Sequence, residues 1–162
     1  MVDEAMFTHE VKALLPMMYR VSMNILHRDD DAQDATQQAL TKAWEKRHGV
    51  KPDYFRAWLM RITVNECHNI HRRQKREAPV EQTEQGQRID FPDAEVAADV
   101  ADAVSRLPEK LRIPFLLKYL AEYKEAEVAA ILKIPKTTVK NRLHKARQEL
   151  RSYLSDWEVM FK

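Results

Sequence analysis

The chain is 162 residues long, room for one domain or two small ones, and its 44% hydrophobic share is enough for packed cores and excludes a disordered polypeptide. Two glycines in the whole chain are too few for the hairpins and bulges of a strand architecture, and the dominance of Ala, Leu, Glu, Lys, Arg and Gln predicts an all-α fold. The net charge is only +2, but the signs are segregated, with Asp29, Asp30, Asp31 and Asp34 early and basic runs at 72–76 and 136–151, a pattern that suits partners of opposite charge.

In chain order, Val11, Leu14, Leu15, Met18, Val21, Ile25 and Leu26 recur at helical spacing, and Pro16, which lacks an N–H, is expected to kink or restart that helix. Asp29, Asp30 and Asp31 are expected to end it and to cap a second helix, where acidic side chains meet the positive end of the helix dipole. Ala35, Ala39, Leu40, Ala43 and Trp44 carry the apolar period of that second helix, and Gly49 and Pro52 close it. The loop 49–54 then offers Lys51 and Tyr54, for surface packing or for a ligand.

Residues 55–76 read as one long amphipathic helix. Phe55, Trp58, Leu59, Ile62, Glu66, Asn69 and Ile70 form the stripe expected to bury, and Arg61, Asn65, His68 and Arg72 share another face. A row of cationic and amide donors backed by a hydrophobic stripe suits phosphates and base edges, although a solvated basic face has the same spacing.

From Glu77 to Asp93 the texture changes: Pro79, Gly86 and Pro92 interrupt a Glu- and Gln-rich stretch with few apolar residues. Burial cannot offset the entropy of ordering such a segment, so 77–93 is expected to be a flexible linker between one small helical domain at 1–76 and another at 94–162. Past it, Val96, Val100, Val104 and Leu107 make one helix stripe up to Pro108. Leu111, Phe115, Leu116, Tyr119 and Leu120 make another, in which Pro114 is expected to delay or kink the helix.

Residues 125–132, the turn Lys133-Ile134-Pro135 and residues 136–154 then read as helix, short turn, helix. On the last helix Val139, Leu143, Ala146 and Leu150 face inward, which leaves Lys136, Lys140, Asn141, His144 and Lys145 on or near the opposite side. That is the layout of a helix-turn-helix recognition helix, with Thr137 or Thr138 expected to cap it or to bond a phosphate.

With these motifs in view, the chain resembles a sigma factor of the extracytoplasmic function (ECF) group within the sigma-70 family, over nearly its whole length. Asp31-Ala32-Gln33-Asp34 through Ala43-Trp44 resembles region 2.2, and Phe55, Trp58, Leu59, Arg61, Ile62 and Asn65 match the signature of regions 2.3 and 2.4. Leu107-Pro108 with Arg112, then Glu127-Val128-Ala129, then 138–147, resemble region 4. The resemblance implies a protein with no catalytic residue, no cofactor and no metal, which directs RNA polymerase core to particular promoters.

It further implies that Asp34, Gln37 and Gln38 contact the clamp helices of the polymerase large subunit, and that Asn65 with the loop 49–54 captures an unstacked non-template base of the −10 element. Arg61, His68, Arg72 and Arg73 would hold the upstream duplex and its phosphates. Lys140, Asn141, His144 and Lys145, with Thr138 beside them, would bind the −35 element as duplex. An inhibitory anti-sigma factor is also implied. Gln33 and Gln38 stand where the family usually has Glu, and Lys133 and Thr137 where the turn often has small residues or Gly.

Other readings make different demands. Cys67, His68 and His71 suggest a metal site, but a structural zinc wants four ligands and no second pair lies nearby in sequence. Asp29, Asp30, Asp31 and Asp34 would serve a divalent-metal nuclease, yet all fall in one helix-capping stretch that suits a protein partner. A helix-turn-helix transcriptional regulator acting without replacing sigma is the main alternative, and the aromatic and basic helix from Phe55 is what such a regulator does not require. An interaction-only protein would ignore nucleic acid altogether. Cys67 stands alone, so no intramolecular disulfide forms, and no signal-like or long apolar run occurs, so a cytoplasmic protein without membrane insertion is expected.

Overall fold

A computed structural model describes residues 2–77 and 97–154. Among them all regular structure is helical, and the chain divides into two compact units, one holding α1 (Glu4–Leu26), α2 (Asp29–Lys46) and α3 (Phe55–Glu77), the other α4 (Ala97–Ser105), α5 (Glu109–Phe115), the start of α6 (Glu125–Leu132) and α7 (Lys136–Tyr153). The expected linker, apart from Glu77 at the end of α3, lies outside the described residues, as does Val96.

In the first unit Asp3 caps α1 by accepting from the Met6 N–H at 2.8 Å. The expected restart at Pro16 does not occur, and α1 runs unbroken through it. Pro16 and Lys12, whose carbonyl loses its helical donor there, both sit on the exposed side, where water can take over, while Met18, Val21 and Ile25 bind the rest of the helix to the core. Nor do the aspartates end α1. His27 does, in the left-handed conformation (φ 63°, ψ 12°) with its N–H on the Met23 carbonyl at 2.8 Å, and Asp29, Asp30 and Asp31 form the first turn of α2 without a side-chain cap before it.

The inward face of α2 is small: Ala32, Ala35, Ala39 and Ala43 are fully buried, with Thr36, whose hydroxyl donates to the Ala32 carbonyl at 2.8 Å. Alanine lets neighbouring helices approach closely, so the larger Phe55, Leu59, Met60, Val64, Cys67 and Ile70 of α3 and Met18, Val21 and Ile25 of α1 fill the core between them. Helices α2 and α3 run antiparallel, as three polar rungs show. Gln74 donates to Asp31 at 2.7 Å, Arg73 meets Asp34 at 3.4 Å, and Lys42 bonds Glu66. Glu66, expected within the apolar stripe, is buried because it has this ammonium partner.

In the second unit Val100, Val104, Leu107, Leu111, Phe115, Leu116, Leu117 and Leu120 pack with Val139, Leu143, Ala146 and Leu150 of α7. Arg112, 8% exposed, donates to the Leu107 carbonyl at 3.1 Å and the Ser105 carbonyl at 3.3 Å, closing the turn after α4, where helix carbonyls lack partners. Pro114 neither delays nor ends α5. The helix continues past it into one widened π-type turn, Leu116–Leu120, closed by the Ala121 N–H on the Leu116 carbonyl at 3.0 Å. Helices α6 and α7 flank the turn Lys133-Ile134-Pro135 as expected.

Candidate nucleic-acid interface

Helix α3 buries about half of its circumference, through Phe55, Leu59, Met60, Thr63, Val64, Glu66, Cys67 and Ile70, because α1 and α2 cover it from two sides. The core face is therefore wider than the expected stripe and rotated away from it. Trp58, Ile62 and Asn69, expected inside, are half-buried along one flank, and Thr63 is tolerated inside because its hydroxyl donates to the Leu59 carbonyl at 2.8 Å. On the remaining arc lie Asn65 and Arg72, exposed, with Arg61 and His68 half-buried. At about 1.5 Å rise per residue this row is roughly 16 Å long, the length of about five base-pair steps.

At the lower end of that row Tyr54, 65% exposed, closes a short turn, Pro52–Tyr54. At the upper end Arg72 bonds the Asn69 side-chain oxygen and Arg73 is exposed beside Asp34. Cys67 is fully buried, and among the described residues no three of His, Cys, Asp and Glu converge as metal ligands. The row can donate hydrogen bonds and positive charge, and it carries a half-buried aromatic flank. Those are the properties that bind phosphates and unstacked bases.

The outer face of α2 presents Gln37 and Gln38 exposed, with Asp34 half-exposed next to them, Thr41 one turn on and Glu45 two. Gln33 donates to Asp29 at 2.8 Å, Tyr19 bonds the same aspartate, and Arg28 lies 3.9 Å from Asp31. The aspartates of this stretch are thus divided among side chains of α1, α2 and α3 and do not gather around a shared point.

On α7 Val139, Leu143, Ala146 and Leu150 are buried, and Lys136, Lys140, Asn141, His144 and Lys145 are exposed, as the spacing predicts. Thr138 is half-buried in the first turn. Neither threonine caps the helix, because the N-cap position is Pro135 (φ −61°, ψ 149°), which has no side-chain acceptor, and the helix starts at Lys136. The turn before it is shaped by Lys133, left-handed at φ 56° and ψ 46°, with the N–H groups of Lys133 and Ile134 both on the Ala129 carbonyl. Arg147, half-buried two turns on from Lys140, donates to the Tyr119 hydroxyl at 3.1 Å, so it serves packing.

Residues 11–77 match the family pattern described as Sigma-70 region 2, and residues 97–150 match Sigma-70, region 4. The ECF RNA polymerase sigma-E factor of Escherichia coli is 31% identical over 137 residues, 74% of this chain and 72% of that protein. The chain belongs to the sigma-70 family, in its ECF group. The ECF sigma factor SigE of Mycolicibacterium smegmatis is 29% identical over 85% of this chain, and the chain spans 57% of the length of that relative. The sigma factor RpoE of Bartonella quintana, solved in complex with the anti-sigma factor NepR, has the same fold, with a TM-score of 0.77 at 24% identity over 91% of this chain and 95% of that one.

In this sigma factor α1–α3 are region 2 and α4–α7 are region 4. One feature of region 2 that sequence reasoning missed is Arg47, whose guanidinium lies 3.5 Å from the centre of the Trp44 ring. An arginine three residues after a tryptophan allows such a contact, but spacing does not fix it where the chain leaves the helix.

Proposed function

We propose that this chain recruits core RNA polymerase to promoters through two separate surfaces, with no catalytic chemistry of its own. The observation that carries the reading is that each unit matches a sigma region and each turns a row of donors to solvent on a helix whose other side is core. On α3, Asn65 and the loop 49–54 take an unstacked −10 base, while Arg61, His68, Arg72 and Arg73 hold the duplex upstream. On α7, Lys140, Asn141, His144 and Lys145 enter the major groove of the −35 element, with Thr138 near a phosphate. Asp34, Gln37 and Gln38 on the outer face of α2 meet the clamp helices of the polymerase large subunit.

Extruding a base costs a few kcal/mol, so a pocket that rewards the flipped form drives strand opening by binding alone. No helix among the described residues is long and apolar enough to cross a membrane. The site of action is the cytoplasm, where polymerase and promoters are, and an anti-sigma factor that covers the same donor surfaces is the expected regulator. Asn65→Ala tests the assignment: permanganate reactivity of the melted region should fall about tenfold in the holoenzyme while duplex binding changes less than twofold. Equal losses in the two assays would remove Asn65 from strand capture.

A further inference from the structure

The loop between α2 and α3 buries no side chain of its own: His48, Gly49, Lys51, Pro52, Asp53 and Tyr54 are exposed and Val50 is half-buried. A Cβ on Gly49 would meet nothing within 4 Å, so no neighbour packs on the loop at that position. Its shape is therefore set by its own short turns and by its two ends. At the first end, the Arg47 N–H and Nη1 both bond the Trp44 carbonyl, Nη1 at 2.7 Å, and the guanidinium lies flat enough to sit 3.5 Å from the centre of the Trp44 ring.

From Trp44 a chain of rings leads to the other end. Trp44 meets Phe7 edge to face at 5.1 Å, Phe7 meets Phe55 at 5.7 Å, and Phe55, the residue after the loop, meets Trp58 at 5.7 Å. Phe55 is fully buried, so the second end is fixed by the core. The first end depends on Arg47, since Trp44 itself is 37% exposed and α2 stops at Lys46.

We propose that Arg47 is a positioning residue for base capture: stacked on Trp44 and bonded to its carbonyl, it holds the loop in the conformation that receives the unstacked base. The proposal rests on the reading that this loop and Asn65 take that base. A binding loop held beforehand in its bound shape avoids the entropy of ordering at the moment of binding, and Arg47 adds its hold at the first end to the loop's own short turns, Arg47–Gly49 and Pro52–Tyr54, the second closed by the Tyr54 N–H on the Lys51 carbonyl at 3.0 Å. A guanidinium combines a charged planar face for the ring with an in-plane donor for the carbonyl. Lysine keeps the charge and loses both geometries.

The test uses full-length protein in holoenzyme with bacterial core, on forked DNA built from a promoter that the holoenzyme transcribes. The single-stranded non-template segment carries each of the four bases in turn at each unpaired position. Arg47→Lys should lose roughly five- to tenfold in fork affinity and flatten the preference among bases, with duplex affinity and core affinity changed less than twofold. Trp44→Phe, which keeps a smaller ring under the guanidinium, should fall between. Wild-type base preference in Arg47→Lys alongside its loss in Asn65→Ala overturns the proposal and leaves the base-capture reading standing. Equal losses on fork, duplex and core make Arg47 merely structural and also overturn it. Unchanged base preference in both Asn65→Ala and Tyr54→Ala removes the base-capture reading, and the role of Arg47 with it.

Discussion

Lys133 is the residue at which the helix-turn-helix departs from the glycine often found in such turns, and the substitution Lys133→Gly gives the turn a measurable energy. Lys133 adopts φ 56° and ψ 46°, a left-handed conformation that costs an L-residue with a Cβ about 1–2 kcal/mol. Its side chain is exposed, so replacing it removes no packing. Glycine relieves that strain but carries more freedom in the unfolded chain, which returns about 0.5–1 kcal/mol. The net expectation is stabilisation by about 0.5–1 kcal/mol, since the bonds of Lys133 and Ile134 to the Ala129 carbonyl are backbone bonds that survive. Hydrogen exchange of the amides in 125–153 of the full-length chain should slow by about two- to fivefold. Lys133→Val, β-branched at the same φ, should speed it. Unchanged or faster exchange in Lys133→Gly would refute the strain argument.

Other consequences follow from burial and charge. Leu143 is 1% exposed on the core side of α7, so Leu143→Ala should cost about 2–5 kcal/mol and abolish duplex recognition by region 4, while circular dichroism still reports folded α1–α3; retained −35 binding would contradict the packing. Lys42→Met leaves the 5%-exposed Glu66 without its ammonium and should destabilise region 2 by about 1–3 kcal/mol in urea unfolding, an effect that Glu66→Gln in the same background should reduce. Lys140→Gln with Lys145→Gln should lower the slope of log affinity against log salt by about 1–2 on duplex promoter DNA, and an unchanged slope would place neither lysine at a phosphate.

The helices were legible wherever apolar spacing and breakers agreed. On α7, Val139, Leu143, Ala146 and Leu150 lie inside and the polar residues outside, because one amphipathic stripe decides the matter for a helix packed on one side. Helix α3 was harder, since it is covered from two sides, and a one-stripe reading put Trp58 and Ile62 in the core while omitting Met60, Val64 and Cys67. The restart after Pro16 and the delay at Pro114 fail for a common reason. A proline costs a helix one hydrogen bond, and whether that loss falls on the solvent side, as at exposed Pro16, or just before a π-type turn, as at buried Pro114, depends on surroundings that a single sequence does not carry. The end of α1 at His27 was illegible for a related reason, histidine not being the residue type that the position favours, whereas the turn Lys133-Ile134-Pro135 between α6 and α7 could be read. The donor rows on α3 and α7 could be read from spacing, but the stacking of Arg47 on Trp44 could not, because it depends on the direction the chain takes on leaving α2.

The central claim, that this chain brings promoter recognition to polymerase, is tested most directly by run-off transcription with sigma-free bacterial core on a genomic promoter library, with and without the full-length protein. The account predicts new start sites that share two spaced upstream motifs and that vanish when either the α3 or the α7 donor row is neutralised. No added starts, together with tight duplex binding by the protein alone, would contradict it and point to a regulator that acts without replacing sigma.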